Sequence, residues 1–97
     1  MNRTELLERA AAIVTGERAN QYGDAENNFA VIADMWCAYL QGCGVNIDFL
    51  EPADVAAMMI LLKVARIASG HAKDDNWVDI AGYAACGAEM EDNNGGV

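Results

Sequence analysis

The chain contains few of the residues that enzymes most often use for chemistry. Its 97 residues include one histidine, one proline, three cysteines and only six lysines and arginines. A single histidine without a Ser–His–Asp arrangement argues against acyl transfer. No P-loop and no GxGxxG motif occurs. The cysteines have no CxxC spacing, which argues against a zinc site, and we interpret them as reduced thiols.

Positive charge is scarce, and the net charge of −9 disfavours nonspecific binding to nucleic acid or to anionic membranes. The acidity is compatible with three roles, which are ordinary solubility, binding of a divalent cation, and mimicry of a nucleic acid. The N-terminal segment is amphipathic and carries glutamates, unlike a signal peptide, so we predict a cytoplasmic protein.

Apolar residues are abundant, at 54% of a chain long enough for one domain. Helical periodicity predicts helices over residues 3–16, 25–40, 54–69 and 75–90, and no strand pattern competes. We therefore predict an all-α fold, a compact four-helix bundle-like domain over residues 1–91 with a disordered tail over 92–97. So small a domain has little volume in which to hide this apolar content, so we also expect a homo-oligomer.

The most apolar run, DVAAMMILLKVARIAS over residues 54–69, predicts the central helix. Pro52 suits its first turn and Gly70 its end. The run is apolar almost all round the helix, which predicts burial on most sides. It carries too many charges for a membrane span, because Lys63 and Arg66 interrupt it and Asp54 begins it.

Lys63 and Arg66 lie about 60° apart on this helix. Buried cations normally find a counter-charge, and two sources are open. One is a set of carboxylates on neighbouring helices, with the stems snorkelling outward. The other is a bound anion, such as the phosphate of a nucleotide or of a cyclic nucleotide.

The remaining helices carry apolar stripes that predict their core faces. In the second helix the stripe contains Phe29, Ile32, Ala33, Trp36 and Leu40. In the last helix it contains Trp77, Ile80, Ala81, Ala84 and Ala88. Gly82 interrupts this helix at a cost of about 1 kcal/mol relative to alanine, which indicates close helix packing or the approach of a ligand.

Several polar residues suit ligand contact. Arg18 and Tyr22 stand in a polar connection between helices, where loop residues often bind ligands. Carboxylates on several helices could converge on Mg²⁺, although each also suits an ordinary helix terminus. These candidate metal ligands are Glu26, Glu51, Asp54 and Asp75, with Asp79 nearby on the last helix.

The series YGDAENNF (22–29), IADMW (32–36), DVAAMMILLKVAR (54–66) and DNWVDIAGYA (75–84) resembles a small protein family of tailed phages and prophages. The resemblance covers roughly residues 18–89. That family is in turn similar to the MazG-like all-α nucleoside triphosphate pyrophosphatases. The resemblance implies a nucleotide groove containing Lys63, Arg66, Asp79 and Tyr83, in a protein of an infected or lysogenic bacterium.

MazG-like enzymes hold Mg²⁺ with an E-x-x-E pair and an E-x-x-D pair on consecutive helices, and this sequence departs from that pattern. Phe29 stands three residues after Glu26, and Asp75 and Asp79 are four residues apart. Three hypotheses follow. The first is a nucleotide-binding protein that could hydrolyse (d)NTPs with Mg²⁺. The second is a phage counter-defence protein that sequesters a cyclic nucleotide. The third is an acidic, anti-CRISPR-type inhibitor of a host defence nuclease.

Overall fold

The computed structural model describes residues 1–16, 25–71 and 73–93. These residues form four helices and no strand: α1 (Arg3–Thr15), α2 (Ala25–Gly42), α3 (Pro52–Ala68) and α4 (Asp74–Asn93). The all-α prediction is therefore confirmed, and each predicted helix is present. The largest shift is in α4, which continues to Asn93, two residues into the segment expected to be a disordered tail.

Local capping signals determine where α1 and α3 begin. Before α1, the side chain of Asn2 accepts a 2.8 Å hydrogen bond from the backbone N–H of Glu5. Pro52 opens α3, where a missing N–H costs nothing. The carboxylate of Asp54 in its first turn accepts a hydrogen bond of 2.9 Å from the backbone N–H of Glu51.

Two glycines in the left-handed region end α2 and α3 in the same way. Gly44 has φ +91° and Gly70 has φ +88°. At each end, the N–H of the residue after the glycine bonds back to a carbonyl in the last turn. These bonds run from Val45 to Leu40 and from His71 to Arg66, both at 3.0 Å. This is the Schellman arrangement, and it needs glycine because other residues resist positive φ.

Helices α3 and α4 form the central pair, with α1 packed on α4 and α2 packed on α3. The buried core lies where α2, α3 and α4 meet, and it contains Phe29, Ala33, Val55, Ala56 and Met90. Partly buried residues that include Trp36, Leu50 and Met59 surround it. The core-facing stripe predicted for α2 is confirmed.

The burial predicted for α3 is wrong. Val55 and Ala56 are buried, but large apolar residues on the opposite face lie in solvent. Leu61 is 65% exposed and Val64 is 48% exposed. The run is apolar all round, so its pattern does not define one inner face. The helices that the structure describes cover one side of α3 and leave the opposite side open.

The core face predicted for α4 is also displaced. Trp77 is 51% exposed, whereas its neighbours Asn76 and Val78 are buried. Two faces of α4 are covered because the helix lies between α3 and α1. Gly82 faces α1, where a Cβ would stand 3.4 Å from Cγ1 of Val14. This is ordinary van der Waals contact, so α1 leaves room for an alanine and the packing does not require a glycine at position 82.

Candidate functional site

A partly buried ion pair joins the two central helices. The Nζ atom of Lys63 lies 3.0 Å from Oδ2 of Asp79, with 19% and 31% of the two side chains exposed. Lys63 shares the inner face of α3 with Val55 and Met59, because the three positions are spaced four residues apart. The pair therefore lies at the edge of the core, where screening by water is reduced.

Arg66 occupies the last turn of the same helix and is exposed. Among the described residues, no carboxylate lies within 4.0 Å of its guanidinium. Of the two cations predicted to receive negative charge, Lys63 therefore has a partner on α4. Arg66 presents its guanidinium to solvent about one helical turn away. The counter-charge of Lys63 is therefore a carboxylate on a neighbouring helix. For Arg66, a bound anion is still open as the counter-charge.

Tyr83 lies one helical turn beyond Asp79 on the same face of α4. Its ring packs against Phe29 of α2, with ring centroids 6.1 Å apart and planes inclined by 37°. Tyr83 is half-buried against the core. The face of α4 towards α3 thus continues from a carboxylate to an aromatic ring, and Asp79 and Tyr83 lie near each other as the sequence indicated.

A buried amide that the sequence analysis missed holds the connection between α3 and α4. Asn76 is 4% exposed, and its Nδ2 donates a hydrogen bond to the backbone carbonyl of His71. Its own N–H donates to the carbonyl of Lys73 at 3.0 Å. An asparagine in the first turn after a short connection could have signalled this role, because its side chain often bonds to nearby backbone.

Two of the carboxylates predicted to bind Mg²⁺, and Asp79 near them, have other partners in the structure. Asp54 caps α3, and Asp75 forms a 3.1 Å ion pair with Arg9 of α1. Asp79 holds Lys63. Within the described ranges, no three histidine, cysteine, aspartate or glutamate side chains come together as a metal site would require. The Mg²⁺ site stays a prediction.

Three of the predicted site residues cannot be placed beside this pair. Arg18 and Tyr22 lie outside the described residues. Glu26 belongs to the first turn of α2, but its side chain is also outside the described part of the structure. Their roles stay predictions.

The three thiols occupy different environments. Cys37 is buried, Cys43 is exposed and Cys86 is half-buried, and all three are free. Burial raises the pKa of the Cys86 thiol above its ordinary value, and the negative charge of Glu89 raises this pKa further. Cys86 is therefore held in its thiol form and is a weak nucleophile.

None of the helices that the structure describes combines the length and the apolar character that a crossing of the bilayer requires.

Comparison with known proteins identifies the family. The model of a domain of unknown function, DUF6378, matches residues 5–91. The Gene 55 protein of Mycobacterium phage L5 is 45% identical over 86 residues, which are 89% of this chain and 52% of that protein. The Gene 55 protein of Mycobacterium phage D29 is 37% identical over 81 residues, or 84% of this chain and 50% of that protein.

The chain thus spans about half the length of these curated relatives. No solved structure matches it. The matched residues include all of α2 and α3 and most of α1 and α4, so the whole candidate site falls within the shared region. This chain belongs to the phage protein family defined by the DUF6378 domain.

Proposed function

We propose that the protein binds a nucleotide at the junction of α3 and α4. The observation that carries this proposal is the arrangement of its two cations. Lys63 is held by Asp79 at the edge of the core, and Arg66 presents an exposed guanidinium about one turn away. An arginine fork binds phosphate oxygens in a bidentate manner, and a lysine held in place can donate a further hydrogen bond.

The pairing of Lys63 with Asp79 leaves part of the ammonium group available for a further contact. The carboxylate of Asp79 accepts only one of the three ammonium hydrogens of Lys63 at its 3.0 Å contact. A phosphate beside Arg66 can therefore approach Lys63 without breaking the ion pair. Tyr83 lies on the same face of α4 as Asp79, with its ring packed against Phe29.

We choose a nucleotide over other anions because of the resemblance to MazG-like pyrophosphatases, which is an expectation from sequence motifs alone. We propose binding without hydrolysis as the function. Asp54, Asp75 and Asp79 are each engaged in a contact within the fold, so hydrolysis through the predicted Mg²⁺ site has no support from the described side chains.

Sequestration of a cyclic nucleotide by a counter-defence protein is the second candidate. The same engagement of the carboxylates favours it, because a protein that only holds its ligand needs phosphate-binding cations and no metal. One cyclic phosphate carries less charge than a triphosphate. A pair of cations separated by about one helical turn is enough for such a ligand.

A ligand screen tests both candidates. Thermal shift and calorimetry would use dNTPs, nucleoside monophosphates, cyclic mono- and dinucleotides and inorganic phosphate at fixed ionic strength. We expect one nucleotide class to stabilise the protein. Arg66→Ala should weaken its binding at least about tenfold, which is the loss of one charge-assisted contact.

Lys73→Ala is the matched control, because Lys73 is an exposed cation in the connection that follows α3. It should leave the affinity within about twofold. Equal losses in the two variants would indicate nonspecific attraction, and no stabilisation by any nucleotide would refute the proposal. Release of pyrophosphate from dNTPs with Mg²⁺ would instead support the enzymatic form of the family resemblance.

A further inference from the structure

The side of α3 that faces away from α4 forms a continuous apolar surface, which we call the outer stripe. Its members are all exposed: Ala57, Met58, Leu61, Leu62, Val64, Ala65 and Ala68. The exposed fractions of its four large side chains range from 38% to 65%. The stripe extends over about 17 Å of helix at 1.5 Å per residue.

The charged residues of α3 lie away from the outer stripe. Lys63 lies on the inner face, and the outer stripe contains no polar or charged residue between Asp54 and Ser69. Single exposed apolar residues are ordinary on protein surfaces, but a contiguous patch of several hundred Å² marks an interaction surface. The outer stripe has this contiguous form.

We propose that a second copy of this chain covers the outer stripe, with the two α3 helices packed antiparallel across a twofold axis near Leu61. The net charge of −9 makes two copies repel each other, and this repulsion is smallest for a contact through a surface that carries no charge. A twofold contact pairs a surface with itself, and the uncharged stripe meets that condition.

Charges at the ends of α3 favour the antiparallel orientation. The first turn carries Asp54 and the last turn carries Arg66. Antiparallel packing brings the acidic end of one helix to the basic end of the other, and it also opposes the two helix dipoles. Parallel packing would place like charges together at both ends.

The size of the surface indicates the strength of the contact. A stable interface buries about 800 Å² on each partner. The outer stripe is one helix wide, and Phe49, which is 66% exposed and lies three residues before α3, can extend it at one end. We therefore expect a reversible dimer that dissociates on dilution.

Sedimentation analysis over a dilution series tests the dimer with a matched pair of variants. Leu61→Glu places a charge in the centre of the outer stripe, where Leu61 is 65% exposed. Leu7→Glu makes the same change on α1, where Leu7 is 63% exposed. We expect the unaltered chain and Leu7→Glu to dimerise, and Leu61→Glu to remain monomeric at concentrations at least tenfold higher.

Circular dichroism checks that both variants keep their helical content. Val64→Glu replaces Leu61→Glu if the latter does not fold, because Val64 is 48% exposed on the same stripe. A chain that is monomeric at every concentration would overturn the proposal. Equal behaviour of the Leu7 and stripe variants would overturn it as well.

Cysteine cross-linking tests the orientation. In a Cys43→Ser background, Ala57→Cys and Ala65→Cys are prepared separately and then mixed. Antiparallel packing around Leu61 places position 57 of one copy opposite position 65 of the other, so only the mixed sample should cross-link efficiently. Efficient cross-linking within each unmixed variant would indicate parallel packing and overturn the proposed geometry.

Discussion

The side of α3 that packs against α4 contains the charged residue Lys63, whereas the side that faces solvent contains methionine, leucine and valine. A surface helix normally has the opposite arrangement, with its apolar stripe inside. Both sides of α3 are therefore suited to contact. Its inner side is matched to α4 by an ion pair and small residues, and its outer side is open to a partner. Variants that alter one side at a time can test whether the two sides differ.

The largest expected effect comes from trimming the inner side. Val55→Ala should lower the free energy of unfolding by between about 2 and 3 kcal/mol, because Val55 is fully buried and a cavity would remain. Val64→Ala, the same change on the outer side, should cost less than about 0.5 kcal/mol. Chemical denaturation in a Leu61→Glu background measures both without dimerisation. Equal losses would show that the two sides are not distinct.

Removing the inner cation should have the next largest effect. Lys63→Met leaves the carboxylate of Asp79 without its partner in a partly buried position, at a cost of about 1.5 kcal/mol. Arg66→Met should be close to neutral, because Arg66 is exposed. The double variant Lys63→Met, Asp79→Leu should recover most of the loss. Denaturation midpoints provide the measurement, and a double variant no more stable than Lys63→Met would contradict this account of the ion pair.

A pair of glycine variants tests the closeness of the inner contact. A Cβ added to Gly87 would stand 3.1 Å from Cβ of Ala56 on α3, whereas one at Gly82 would stand 3.4 Å from Val14 on α1. Gly82→Ala should stabilise the fold by about 0.5–1 kcal/mol through helix propensity. Gly87→Ala should not show this stabilisation, because the added Cβ would crowd Ala56. A thermal melt that shows equal stabilisation would contradict the close approach of α3 and α4.

The smallest expected effect concerns the reactivity and ionisation of the thiols. Alkylation at pH 8 should modify Cys43 first, because it is exposed, while Cys86 reacts more slowly. The raised pKa of Cys86 means that the folded state retains a proton which the unfolded state loses first. Stability should therefore fall slightly as pH rises above about 9, the region where an ordinary thiol ionises. A Cys86→Ala variant should lack this slope, and an unchanged slope would assign it elsewhere.

The helices could be predicted from the sequence because the residues that define their ends act locally. Asn2, Pro52 and Gly70 act through their own backbone neighbours, and each was recognisable without the fold. The inner and outer sides of α3 and α4 could not be predicted in the same way. Both helices have apolar residues on several faces, so burial depends on which neighbours are present. This explains why Trp77 is half exposed and Asn76 is buried.

The candidate site was predictable in part for the same reason. Lys63 and Arg66 were recognised as cations in an apolar helix, and carboxylates on a neighbouring helix were one of the alternatives. Asp79 is the ion-pair partner of Lys63 because of the register in which α3 packs against α4. No local sequence pattern encodes this register. Asp54 and Asp75 suited metal binding by residue type, but a capping bond and an ion pair engage them instead.

The bond from Asn76 to the carbonyl of His71 closes a connection of only a few residues between two helices in broad contact. Short loops cost little entropy to close, so α3 and α4 are expected to dock early in folding as a helical hairpin. The outer helices α1 and α2 would join this hairpin later and leave it first. Amide protons at the centre of the hairpin should therefore exchange with solvent more slowly than those of either outer helix.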